Sequence, residues 1–171
     1  MKLSTQHLLV LTGGVFLALA TWWLMRPSPD YQASFAGNPV PTGLVEFMHP
    51  YEMRGEFFLV LVDDYDRECI DRRTEIHNAT VQKQRSGLKG RLLVACDPSL
   101  PPAVSKYDTR APGKHTIMAD NSTVYANRNL KRIPKPAVFL VSNGQITDVF
   151  SGEAFDNWLL KNQYDWARKN K

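Results

Sequence analysis

One strand-to-helix junction holds the residues of this chain best placed to do chemistry. Cys69 follows the apolar run Glu56 to Asp63 by six residues and stands at the start of a predicted helix. Peptide dipoles at a helix start favour a thiolate, and a second thiol is needed to resolve the mixed disulfide that this thiolate forms with a substrate. Arg72 occupies the position three residues on, where that second thiol would stand. The pattern therefore predicts the scaffold of a dithiol redox site whose second sulfur is missing.

The ionisation of the Cys69 thiol is left open by its sequence neighbours. Arginines at positions 67, 72 and 73 would lower its pKa, because positive charge stabilises the thiolate. A larger set of nearby carboxylates would raise it, namely Asp63, Asp64, Asp66, Glu68 and Asp71. Two interpretations follow: a reactive thiolate, or a retained structural thiol that does not turn over.

The chain begins with a segment that predicts export and a membrane anchor. Residues 8–25 carry no charge, end close to a tryptophan pair and would extend about 27 Å as a helix, near the minimum for a hydrocarbon core. We expect residues 1–26 to form a single transmembrane signal anchor with its N-terminus in the cytoplasm, following the positive-inside rule. The alternative is a secretory signal cleaved near Ala18-Leu19-Ala20, and both interpretations place the rest of the chain outside the cytoplasm.

Composition favours one globular domain after that anchor. The chain has 171 residues, of which 43% are hydrophobic, enough for a core of ordinary size. Its formal charge of +4 is too small and too scattered to indicate a nucleic-acid partner. The histidines are dispersed, and no set of histidine, cysteine and carboxylate residues has metal-ligand spacing. Neither a metal nor another cofactor is therefore predicted.

A proline-rich stretch and then alternating strands and helices follow the anchor. Residues 27–54 contain five prolines and predict an extended linker that holds the domain off the membrane, with an edge strand near residues 44–48. Residues 55–171 predict the order β-α-β-(α)-β-β-α, with near-continuous apolar strands, a hairpin at Asn143-Gly144 and a closing helix over 154–168. This order indicates an α/β fold in which a mixed sheet is flanked by helices.

Three landmarks of this domain resemble the thioredoxin-fold superfamily at the family's spacing. Leu61-Val62-Asp63 ends six residues before Cys69, Pro136 lies eight before the hairpin Gly144, and Gly152 lies eight after it. In the family these positions are a buried acid ahead of Cys-x-x-Cys, a cis-proline that faces the sulfurs, and a glycine beside the substrate groove. The longer middle of the domain most resembles the membrane-tethered TlpA-like and peroxiredoxin-like branch. The resemblance spans roughly residues 55–162 and implies a thioredoxin-like domain.

The resemblance also gives Cys96 a place near Cys69. It implies that the strand ending at Cys96 runs parallel to the strand ending at Asp63, so that both cysteines lie near the carboxyl edge of the sheet. Adjacent strands are ~4.8 Å apart and a disulfide needs Cα atoms within about 7 Å, so a bridge is compatible with this arrangement. Three states remain open: two thiols, a structural disulfide or an atypical redox pair. With Arg72 in place of the second cysteine, the family's own disulfide cannot form.

Pro136 keeps a binding role that needs no second sulfur. In the family, the backbone before the cis-proline offers an edge to an extended segment of the partner, and Lys135 and Arg132 would make this edge basic. The alternative is that the prolines of this stretch only shape the turn into the next strand. Together with Arg72 and Gly152, Lys135 and Pro136 form the predicted binding site.

The predicted function is binding rather than catalysis. We expect a thioredoxin-like domain with a degenerate active site, anchored in the cytoplasmic membrane of a bacterium and facing the periplasm. It would contact another envelope or exported protein through the face formed by Cys69 and Pro136. The alternative is an enzyme, a thiol-disulfide oxidoreductase that uses Cys69 alone or with Cys96 on exported proteins.

Overall fold

The computed structural model describes residues 14–15, 21, 30–48, 50–96 and 116–169, with the side chains of the last helix described as far as residue 162. The chain divides into two compact units, Met1–Asp30 and Tyr31–Lys171. The spanning helix predicted over residues 8–25 lies, apart from residues 14, 15 and 21, outside the described residues. Within the described ranges, no helix is both long enough and apolar enough to cross a membrane.

The second unit is built on a five-stranded mixed sheet. In chain order its strands are β1 Glu56–Asp63, β2 Lys89–Cys96, β3 Thr116–Asp120, β4 Ala137–Ser142 and β5 Gln145–Ser151. Their spatial order is β3-β2-β1-β4-β5; β1, β2 and β3 are mutually parallel, and β4 is antiparallel to both β1 and β5. The predicted mixed sheet and its antiparallel hairpin are confirmed.

Helices cover both faces of this sheet. In chain order the described helices of the second unit are α1 Tyr31–Phe35, α2 Thr42–Val45, α3 Arg67–Asp71, α4 Arg73–Arg85, α5 Asn121–Val124, α6 Arg128–Arg132 and α7 Glu153–Lys169. The helix predicted to begin at Cys69 is thus two helices that meet at Arg72, and the short helix predicted near residues 103–107 lies outside the described residues.

The central strand β1 divides its side chains between two cores, because successive strand residues point to opposite faces. Phe57, Leu59 and Leu61 pack with the buried side chains of α1, α2, α5 and α6. Phe58 and Val60 pack on the other face with Cys69 and with the buried side chains of α4 and α7. Burial on both faces explains why β1 is a near-continuous apolar run.

Residues 31–48 fold against the sheet, which corrects the extended linker expected over residues 27–54. Phe35, Leu44 and Met48 are buried in the first core, and residues 42–45 form a helix where an edge strand was expected nearby. Pro39 and Pro41 are compatible with this packing because neither position needs a backbone N–H. Pro39 forms an isolated β-bridge with Gln145, and Pro41 precedes the first residue of α2.

The same segment covers the outer edge of β5. The side-chain oxygen of Gln32 accepts a hydrogen bond from the Val149 amide at 2.6 Å, and its Nε2 donates to the Thr147 carbonyl at 3.3 Å. The Gly37 amide donates to the Ile146 carbonyl at 2.8 Å. Main-chain groups of the edge strand are therefore satisfied by α1 and the turn after it.

A buried ion pair ties the loop before β1 to β2. Arg91 Nη2 and Glu52 Oε1 are 2.6 Å apart, and the two residues are 8% and 5% exposed. A charge this buried is tolerated because its partner neutralises it. The loop over residues 50–55 is thereby fixed near the amino end of β2, away from the end at which Cys96 lies.

Candidate functional site

The predicted site residues meet at one edge of the sheet because of the strand directions. β1 ends at Asp63, β2 ends at Cys96, β4 begins after Pro136 and β5 ends before Gly152. Since β1 and β2 are parallel and β4 is antiparallel to β1 and β5, these four points share the same edge. The Lys135–Pro136 bond is cis, as the thioredoxin-like resemblance implied.

Cys69 lies in the third position of α3, directly beyond this edge, and its side chain is fully buried. Asp66 caps the helix: its Oδ1 accepts hydrogen bonds from the Glu68 amide at 2.9 Å and from the Cys69 amide at 3.3 Å. These amides are the groups that would stabilise a thiolate at a helix start. A carboxylate already occupies them, which removes much of the advantage of the position.

Burial raises the pKa of the Cys69 thiol from 9.0 to about 12. A hydrogen bond with the backbone of Asp63 works in the opposite direction, and the negative charges of Asp66, Asp63 and Glu68 raise the pKa further. The sequence left the direction of this shift open; in the folded chain, desolvation and the neighbouring carboxylates outweigh that hydrogen bond. Cys69 is therefore a neutral thiol at physiological pH.

The Asp63 carboxylate binds Tyr125, which packs against the first core, on the opposite face of the sheet from Cys69. Tyr125 donates its hydroxyl proton to Asp63 Oδ2 at 2.8 Å, and the Tyr65 amide donates to Oδ1 at 2.9 Å. Burial raises the pKa of Tyr125, and the hydrogen bond to Asp63 adds to the effect. Tyr125 is thus a neutral phenol that fixes the carboxylate at the end of β1.

Lys135 completes the cluster from the residue before the cis-proline. Its ammonium lies 4.7 Å from the centre of the Tyr125 ring and donates to the carbonyls of Lys131 at 3.3 Å and Ile133 at 3.2 Å. Burial lowers the pKa of Lys135, while the negative charge of Asp63 opposes the change. The side chain predicted to bind a partner is therefore partly engaged within the fold.

Arg72 does not point into a groove as a substitute for a sulfur; it joins three helices. Its guanidinium forms ion pairs with Asp156 of α7 and, at 3.1 Å, with Glu68 of α3. It also lies 5.9 Å from the centre of the Phe155 ring and pairs with Glu75 of α4 at 3.7 Å. Burial opposes the charge, but the bonds to Asp156 and Glu68 raise the pKa of Arg72 overall. The position of the second sulfur has become a structural contact.

Cys96 is buried at the end of β2, and its thiol donates to the Ala119 carbonyl of β3 at 3.4 Å. Cys69 and Cys96 belong to the same buried cluster on one face of the sheet, and no disulfide joins them in this structure. Their pairing under oxidising conditions stays a prediction.

Two residues of the site were missed from the sequence. Tyr125 is 62 residues from Asp63 along the chain, and Asp156 is 84 residues from Arg72. No local sequence motif indicates either contact. Only a prediction of which strand and helix ends meet at this edge of the sheet could have identified Tyr125 and Asp156. Among the described residues, no group of three or more histidine, cysteine and acidic side chains could hold a metal ion.

Comparison with known proteins gives likenesses only among solved structures; no family model and no curated protein matches the chain. A thiol:disulfide interchange protein from Bacteroides sp. is 10% identical with a TM-score of 0.46, over 65% of this chain and 74% of that one. A thioredoxin family protein, also a thiol:disulfide interchange protein, from Chlorobium tepidum is 15% identical with a TM-score of 0.42, over 66% and 81%. Copper-bound ScoI of Arabidopsis thaliana is 12% identical with a TM-score of 0.40, over 67% and 88%.

The fold class rests on this chain's own geometry. A mixed sheet is flanked by helices, Cys69 lies in the helix that follows the central strand, and a cis-proline precedes β4 at the same edge of the sheet. The domain is thioredoxin-like. Its Cys-x-x-Arg sequence at residues 69–72 replaces the two-sulfur arrangement implied by that resemblance.

Proposed function

We propose that this chain is a membrane-anchored, extracytoplasmic thioredoxin-like protein that binds another envelope or exported protein and does not exchange disulfides. The observation that carries the proposal is the fixed position of Arg72 between Asp156 and Glu68. Disulfide exchange needs a second thiol there to release the substrate from a mixed disulfide. An arginine held by two carboxylates cannot supply one.

The state of Cys69 supports the same proposal. Its sulfur is buried, and its pKa is raised to about 12. Since the thiolate is the attacking species, a thiol in this state is a poor nucleophile at neutral pH. The face keeps two exposed residues next to the site, Tyr65 and Pro134, against which a partner segment would lie. The anchor is supported by the uncharged sequence of residues 8–25.

Site-directed photo-crosslinking in cells tests the proposed binding face. A photoreactive phenylalanine at Tyr65 or Pro134 is expected to give the same adduct, identified by mass spectrometry as one envelope or exported protein. Tyr51 is the matched control, because it is 60% exposed and its carbonyl accepts from Lys89 at the amino end of β2, away from the site. The adduct should persist when Cys69→Ser is added. No adduct at either site position, or its loss with Cys69→Ser, would contradict binding without sulfur chemistry.

The second candidate is a thiol-disulfide oxidoreductase that uses Cys69 alone or with Cys96. It is favoured by one observation, the presence of both thiols in the same buried cluster. Reduction of insulin disulfides by the purified chain, with Cys69→Ser and Cys96→Ser as controls, decides between the two. Turnover that disappears in Cys69→Ser would establish the enzyme, whereas equal background in all three proteins favours the binding function.

A further inference from the structure

The short helix α6 presents a face of like charge beside the proposed binding site. Arg128, Lys131 and Arg132 are exposed, and their spacing places them on one side of the helix. Leu130 and Ile133 are buried in the first core, which fixes the direction of that side. Among the described residues, the ion pairs lie elsewhere, and none of them joins these three cations to a carboxylate.

This arrangement is not explained by the stability of the helix. Cations three and four residues apart on one helix face repel each other. Lys131 and Arg132 lie in the last turn, where the helix dipole favours positive charge, but Arg128 is the first residue of α6, where the dipole disfavours it. The repulsion among the three cations and the unfavourable position of Arg128 are therefore not compensated within the helix, and a negatively charged partner would compensate both.

The cationic face is held firmly next to the cis-proline edge. The hydroxyl of Tyr31 donates to the Arg132 carbonyl at 2.8 Å, and the Lys135 ammonium donates to the Lys131 carbonyl at 3.3 Å. The last carbonyls of the helix are therefore occupied, and only three residues separate Arg132 from Pro136 along the chain. A segment bound at the Pro136 edge needs only a few more residues to lie along α6.

We propose that the partner segment bound at the Cys69–Pro136 face continues over α6 as an acidic stretch of polypeptide. This rests on the proposed function and specifies the chemistry of its partner. A peptide fits better than an anionic bilayer because α3, at the same edge of the sheet, exposes carboxylates at Glu68 and Asp71. A flat anionic surface would meet those carboxylates as well as α6, whereas an extended chain can place its acidic stretch on the cations of α6 alone.

Fluorescence anisotropy on the full chain in a nonionic detergent tests the proposal with defined probes. A fluorescein-labelled peptide of alternating glutamate and glycine is compared with the same peptide carrying glutamine for glutamate. The acidic peptide should bind about tenfold more tightly than the glutamine peptide, and its affinity should fall as added salt shortens the Debye length and screens the charges. The variant R128E/K131E/R132E should lose this preference.

A matched variant separates the face from net charge. R54E/R85E/K161E reverses three exposed cations outside α6, so it changes the total charge equally and should bind the acidic peptide like the original chain. Equal binding of the two peptides, or equal loss in both triple variants, would overturn the proposal. A sedimentation assay with vesicles that contain anionic phospholipid provides a second refuting outcome. The proposal is also overturned if the original chain and R54E/R85E/K161E bind these vesicles and R128E/K131E/R132E does not.

The crosslinking adduct at Pro134 tells this failure apart from failure of the proposed function. If the adduct forms equally well in R128E/K131E/R132E, the site binds its partner without α6, and only the acidic segment is refuted. If no adduct forms at Tyr65 or Pro134 in the original chain, the binding function itself is refuted.

Discussion

Alkylation of Cys69 is expected to be at least about a thousandfold slower in the folded chain than in the unfolded chain at pH 8. The magnitude follows from the pKa, which is raised from 9.0 to about 12, because each unit of pKa removes about nine-tenths of the reactive thiolate. Full burial of the sulfur slows the reaction further, since the reagent must wait for an opening of α3.

The measurement uses iodoacetamide and mass spectrometry on the variant Cys96→Ser, in which Cys69 is the only remaining cysteine. The unfolded rate is taken in concentrated urea at the same pH, and Cys69→Ser reports Cys96 separately. A native rate for Cys69 within about tenfold of the unfolded rate would show an accessible, ionisable thiol. That result would refute the burial argument and make the oxidoreductase the leading function.

Three further predictions concern stability, measured by urea unfolding. Burial raises the pKa of the Cys69 thiol, so this thiol ionises at a lower pH in the unfolded chain than in the folded one. The free energy of unfolding should therefore be unaffected by Cys69 below about pH 9 and should fall between pH 9 and 12 by up to ~1.4 kcal/mol per pH unit, relative to Cys69→Ala. Parallel dependences of stability on pH in the two proteins would contradict this prediction. Arg72→Met and Asp156→Asn should each cost about 1–2 kcal/mol and show a coupling of about 1 kcal/mol in a double-mutant cycle, because Arg72 is mostly buried; additive effects would mean that the pair is solvated. Glu52→Gln should cost about 3–5 kcal/mol by leaving Arg91 buried without its countercharge, and a cost below about 1 kcal/mol would contradict the buried pair.

The parts of the fold that follow local signals were predictable from the sequence. The apolar run of β1 and the Asn143-Gly144 turn, in which both residues have positive φ, carry their information within a few residues. The extended linker predicted for the proline-rich segment was wrong because Pro39 and Pro41 indicate only that no backbone N–H is needed at their positions. An extended spacer, a bridge at a sheet edge and the start of a helix all satisfy that condition.

The candidate site was only partly predictable, for a physical reason. The sequence gives the charges around Cys69, and counting them left the direction of its pKa shift undecided. Burial decides that direction, and burial depends on how the helices pack over the end of β1. The role of Arg72 likewise depends on Asp156, which only the packing of α7 against α3 brings near. Spacing along the chain located the missing sulfur but not the contact that replaced it.

The cover over β5 bears on where this domain can be cut. A fragment that starts at Gly55 would lose Gln32 and the turn at Gly37, and the outer main-chain groups of residues 146–149 would face solvent. Open strand edges of that kind recruit strands from other copies of the same chain, which leads to aggregation. A fragment of this domain that stays soluble should therefore begin no later than Tyr31.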